Sequence, residues 1–130
     1  MDTTQKKLTK LVHMMRRRII EPQECYYNMI LSLITASSEH WPKYLDEMPD
    51  DIAKGLHEYA NVYLREIDFM PDVSVFLAGD LTPDQIAYEK WRRRDSYKWL
   101  YDCVTTRAER QNVGSLRAKG GQAYLVDDNS

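Results

Sequence analysis

Between Thr4 and Ile20 the apolar residues Leu8, Leu11, Val12, Met15 and Ile19 recur at the three- and four-residue spacing that lines one face of a helix. On the opposite side Lys6, Lys10, His13 and Arg17 follow one another at four, three and four residues, so they form a basic stripe. Pro22 suits the opening turn of a second helix, with Glu24 near the positive end of its dipole. That helix continues to about Ala36. Cys25, Tyr26, Tyr27, Met29, Ile30, Leu31, Leu33 and Ile34 cover almost its whole circumference, with Asn28 and Ser32 as the main polar interruption, so it belongs in the middle of a bundle.

Ser37 or Ser38 caps a short third helix that holds Pro42 in its opening turn and ends near Met48, before Pro49. Asp50 caps a fourth, whose apolar stripe of Ile52, Leu56, Tyr59, Ala60, Tyr63 and Ile67 runs to about Asp68 with Lys54, Glu58 and Arg65 on the solvent side. Residues Phe69 to Leu81 form a connection with many large apolar anchors, and Pro71 and Gly79 bracket a short helical turn within it. Thr82-Pro83-Asp84-Gln85 then matches a capping box with proline at the first helical position, opening a last helix toward Arg110. Its first half centres Ile86, Ala87, Tyr88 and Trp91 on one side. The second half centres Tyr97, Leu100, Tyr101 and Val104 roughly 120° away at 3.6 residues per turn. Either the helix breaks around Arg94 to Ser96, or it is continuous and its halves pack against different things. From Gln111 onward the periodicity vanishes.

The pattern therefore predicts an all-α fold, a compact bundle of four principal helices plus one or two short helices. Residues 1–110 form the helical domain and 111–130 a flexible C-terminal tail whose only apolar cluster is Tyr124-Leu125-Val126. Composition agrees: 43% hydrophobic and 29% charged residues over 130 positions is ordinary globular material, long enough for one core. A net charge of −2 supplies no overall field toward polyanions, so any nucleic-acid binding must come from a local patch. Cys25 and Cys103 have no zinc or redox spacing and read as reduced thiols, which points to the cytoplasm. No run approaches the ~18 apolar residues of a spanning helix, and no membrane partner is expected.

Candidate chemistry is sparse. His13, His40 and His57 have no histidine at i+3 or i+4 and no glutamate three residues before them, so no metal and no cofactor are expected. The pairs Asp46-Glu47, Asp50-Asp51 and Asp127-Asp128 lie in like environments, whereas acid/base work needs carboxylates whose environments differ. Asp102 beside Cys103 and the apolar surroundings of Cys25 both disfavour thiolate. No catalytic residue is assigned, and an enzyme ranks third among the functional expectations. Gly120-Gly121-Gln122 is similar to the tripeptide of peptide-chain release factors, but its neighbours lack that loop's glycine-rich context and no activity is carried over.

Two surfaces remain. Tyr88, Trp91 and Trp99 share a side of the last helix if it is unbroken, and tyrosine, tryptophan and arginine are the residue types enriched at interface hot spots. The leading expectation is a small intracellular protein-binding or regulatory module whose partner is another protein or a second copy of the chain. The alternative is a nucleic-acid-associated regulator that uses the stripe of Lys6, Lys10, His13 and Arg17. The triplets Arg16 to Arg18 and Arg92 to Arg94 spread over about 200° of helix and make no comparable stripe.

Overall fold

Asp2 opens the first helix, α1 (Thr3–Arg16): one carboxylate oxygen accepts the Gln5 N–H at 2.8 Å and the other accepts the Tyr44 hydroxyl at 2.9 Å. One side chain thus caps α1 and ties it to the third helix. The computed structural model describes residues 2–73 and 79–120, the last ten of these by backbone alone. α1 closes four residues before Ile20. Arg18 takes the left-handed conformation (φ 60°), the Arg18 N–H donates to Met15 C=O at 3.0 Å, and the Ile19 N–H donates to Met14 C=O at 2.8 Å. These two bonds are the Schellman closure, here with arginine where glycine is usual. The reversal takes Ile19 off the apolar face, contrary to its place in the pattern. It is 63% exposed, and Ile20 packs against the core instead.

α2 (Pro22–Ile34) starts at the expected proline and buries Cys25, Met29, Ile30, Leu31 and Leu33. Ser32 is buried too, so the polar interruption is narrower than the pattern implies. A 3-10 turn at Ser38–His40 leads into α3 (Trp41–Asp46), and the Trp41 indole N–H donates to Leu33 C=O at 2.7 Å, pinning α3 to the end of α2. α4 spans Asp50–Tyr63, but its cap is Pro49 and Asp50 is the first helical residue, a correction to the expected cap. The Asp50 carboxylate instead accepts from Arg107 at 2.8 Å. α4 also stops short of Asp68, because the chain turns at the buried Leu64 and continues as a 3-10 turn at Ile67–Phe69.

Among the described residues of the connection Met70, Pro71 and Val73 are buried, whereas Phe69 is 56% exposed. The Tyr97 hydroxyl donates to Pro71 C=O at 2.5 Å. The short helical turn expected between Pro71 and Gly79 falls on 74–78, outside the described residues. Gly79 itself has a positive φ of 84°, which suits glycine.

α5 (Pro83–Arg92) begins with the capping box: Thr82 Oγ1 accepts the Gln85 N–H at 3.2 Å and Gln85 Oε1 accepts the Thr82 N–H at 2.8 Å. The helix breaks at Arg93, and α6 (Arg94–Gly120) follows. Its backbone stays helical ten residues past Arg110, through a stretch whose pattern predicts tail; 121–130, with Tyr124-Leu125-Val126, lie outside the described residues. Tyr97, Leu100 and Val104 are buried, and α6 touches α2, α3, α4 and α5, while α2 touches α1, α4 and α6. The described residues form six α-helices and no strand: four longer helices, with α3 and α5 the short ones.

Candidate functional site

α5 is the helix least engaged with the bundle. None of its residues is buried, and Ile86, Glu89 and Lys90 are only half-buried. Tyr88 is 56% exposed and Trp91 51%, with ring centroids 6.3 Å apart. Just past the break, the Arg94 guanidinium carbon lies 4.0 Å from the Trp91 ring centroid, and Arg94 Nη1 donates to Trp91 C=O at 2.9 Å. A guanidinium stacked on an indole face is a favourable cation–π pair that also fixes the ring. Trp99, on α6, is 61% exposed, but the break at Arg93 removes the unbroken helix on which it would share a side with Tyr88 and Trp91. The break and the uncovered aromatics occur together: α6 buries the Tyr97, Leu100 and Val104 side, and the α5 side is left outside. Two arginines pair with Glu89 at the end of α5. Glu89 receives Arg92 at 2.9 Å and also pairs with Arg93, and these hydrogen bonds, that of Arg92 first, keep its carboxyl below the ordinary range.

On α1, the side chains of Lys6, Lys10, His13 and Arg17 line one shallow groove of about 530 Å³ together with Thr9, Met14 and Ile19. From Thr3 to Ile20 there are six lysines and arginines and no acidic residue, although the whole chain is net negative. None of the four stripe residues makes an ion pair among the described residues. Arg16, on another side of the helix, pairs with Asp51 at 3.2 Å. The left-handed turn at Arg18 brings Ile19 back beside the stripe, so the groove joins exposed apolar surface to cations.

The thiols are unsuited to nucleophilic work. Cys25 is fully buried, its Sγ donates to Leu11 C=O at 3.6 Å, and burial pushes its pKa up to about 11. Cys103 is half-buried and raised by burial and then by Asp102. Among the described residues no three of histidine, cysteine, aspartate and glutamate gather as a metal site, and no helix is long and apolar enough to cross a membrane.

Two features escaped the sequence. Arg107 is buried, where its spacing at the end of the last periodic stretch marks nothing unusual. A cleft of about 520 Å³ also opens between the start of α2, the end of α4 and the loop at 68–72, with Tyr27, Tyr59, Tyr63 and Phe69 in its walls. The i, i+4 pair Tyr59 and Tyr63 was visible as a helical stripe, but its convergence with Tyr27 belongs to the packing. Comparison of the chain with known protein families, with curated proteins and with solved structures gives no match.

Proposed function

We propose that this chain is a small protein-binding or regulatory module that docks its partner, another protein or a second copy of itself, through Tyr88, Trp91 and Trp99. The observation that supports this most is α5 itself, a helix that buries none of its residues yet carries a tyrosine and a tryptophan half exposed, with Arg94 stacked against the latter. Large aromatics left in water cost solubility, and covering them gains about 25 cal/mol per Å² of apolar area. Tryptophan, tyrosine and arginine in one cluster are also the side chains on which binding energy concentrates. Sedimentation of the full chain over a wide concentration range separates self-association from a foreign partner. Trp91→Ala and Trp99→Ala weaken whichever association is found by roughly tenfold or more each, while thermal stability stays nearly unchanged. Loss of stability without loss of association refutes this function.

A second reading, a nucleic-acid-associated regulator, is favoured by the α1 groove, where Lys6, Lys10, His13 and Arg17 lie in a row about 16 Å long at 1.5 Å per residue. Cations at successive helical turns suit a phosphodiester strand, and the lack of carboxylates on α1 removes competition. Binding of this kind falls steeply with salt and is lost on replacing Lys6, Lys10 and Arg17 by glutamate. Failure to retain either single- or double-stranded nucleic acid at low salt eliminates it.

A further inference from the structure

Neither surface accounts for the tyrosine-lined cleft, which shares no residue with them. It is an open cleft of about 520 Å³. Tyr59 stands between two other rings, with centroids 4.5 Å from Tyr63 and 6.2 Å from Tyr26. Tyr27 is steadied by its hydroxyl, which donates to Asp72 C=O at 3.4 Å. Phe69, from the loop, leaves 56% of its surface in water. The walls are therefore aromatic and partly solvated, and the faces of such rings carry negative potential.

Charge in the cleft has the same sign. Glu24 from α2 and Asp68 from the loop line it, against the ammonium of Lys90 from α5. Carboxylates around an aromatic wall repel anions and leave neutral apolar ligands with no gain from the field. They favour a cation whose charge is spread over apolar substituents. A bare ammonium or metal ion holds its water too strongly to exchange it for ring faces, whereas a methylated ammonium gives up less hydration and makes better contact. We infer that this cleft binds a methylated or quaternary ammonium group against Tyr27, Tyr63 and Phe69, with Glu24 and Asp68 as its counter-charges. The group belongs either to a small molecule or to a methylated lysine side chain.

Tetramethylammonium, titrated into the full-length chain and followed through the ring resonances of its tyrosines and phenylalanines, reports the shared chemistry. The expected result is saturable shifts at Tyr27, Tyr63 and Phe69. Choline, compared with its neutral isostere 3,3-dimethyl-1-butanol, isolates the charge, and choline binds at least about threefold more tightly. Tyr63→Leu and Asp68→Asn, each checked for unchanged circular dichroism and melting, weaken tetramethylammonium by a similar factor. A trimethyllysine peptide that binds more tightly than choline assigns a protein ligand, and the reverse order assigns a small molecule. The inference is overturned by shifts that sodium chloride reproduces, by equal affinity for the neutral isostere, or by folded variants that bind as the parent does.

Discussion

Arg107 reaches back from α6 to Asp50, the first residue of α4, with Nη2 2.8 Å from the carboxylate oxygen. The same guanidinium donates from Nε to Leu45 C=O at 2.9 Å and from Nη2 to Met48 C=O at 3.0 Å. These carbonyls end α3 and begin the turn into α4, so one buried cation closes the junction of three helices. The Asp50 side chain is mostly exposed, and the ion pair itself is screened. Most of the stabilisation therefore comes from satisfying the two carbonyls. Arg107→Met is expected to cost about 2 to 3 kcal/mol and Asp50→Asn less than about 1 kcal/mol, both read from urea unfolding. Equal costs for the two variants would place the energy in the ion pair instead.

Gly55 lies inside α4, where glycine ordinarily weakens a helix by about 0.5 to 1 kcal/mol relative to alanine. Here a Cβ would overlap the hydroxyl and ring carbons of Tyr26 on α2. The phenol is a stiff, half-buried group, and moving it disturbs its contact with Tyr59. Gly55→Ala therefore lowers the melting temperature, by an amount corresponding to about 1 to 3 kcal/mol of overpacking. A stabilised variant would show that Tyr26 swings away at little cost.

Arg18 holds the left-handed position of the α1 closure, where an L side chain costs roughly 1 to 2 kcal/mol. Glycine removes that strain and returns part of the gain as unfolded-state entropy. Arg18→Gly is expected to stabilise the chain by about 0.5 to 1 kcal/mol in chemical denaturation. Since Arg18 is not a lining residue of the α1 groove, any polyanion binding should be little changed.

Alkaline conditions should unfold the protein through groups that are kept neutral. Burial raises Cys25 from 9.0 to about 11 and Tyr59 from 10.0 to about 12, the latter helped by Tyr63 and Tyr27. Tyr97 is raised in the same direction, again chiefly by burial. In the unfolded chain these groups ionise at their ordinary values, so the stability tied to them is fully present below about pH 9 and is lost as pH rises through 11 and 12. The urea midpoint should stay level from neutrality to the lower limit and then fall. Cys25→Ala should make the early part of that fall shallower, and an unchanged profile would assign it to the tyrosines alone.

The local signals were decisive where one stretch of chain supplies all the physics. The capping box at Thr82 and Gln85, the proline starts of α2 and α5, and the apolar stripes of α2 and α4 each depend on neighbours a few residues away, so they are legible in order along the sequence. The opposed faces of Trp91 and Tyr97 left two readings open, a break around Arg94 to Ser96 or a continuous helix packed on two sides, and the chain breaks at Arg93. Only tertiary packing chose which face to bury. α6 packs on α2, α3 and α4, whereas among the described residues α5 packs chiefly on α6 and leaves Tyr88 and Trp91 outside. The same holds for Ile19, displaced by a left-handed arginine that no propensity foretells, and for Asp50, drawn from its capping role by a guanidinium 57 residues away. The tyrosine cleft joins residues from α2, α4 and a loop, and its shape exists only once those elements pack. Periodicity records which side of a helix avoids water, while the partner that covers it is selected by shape and charge across the whole fold.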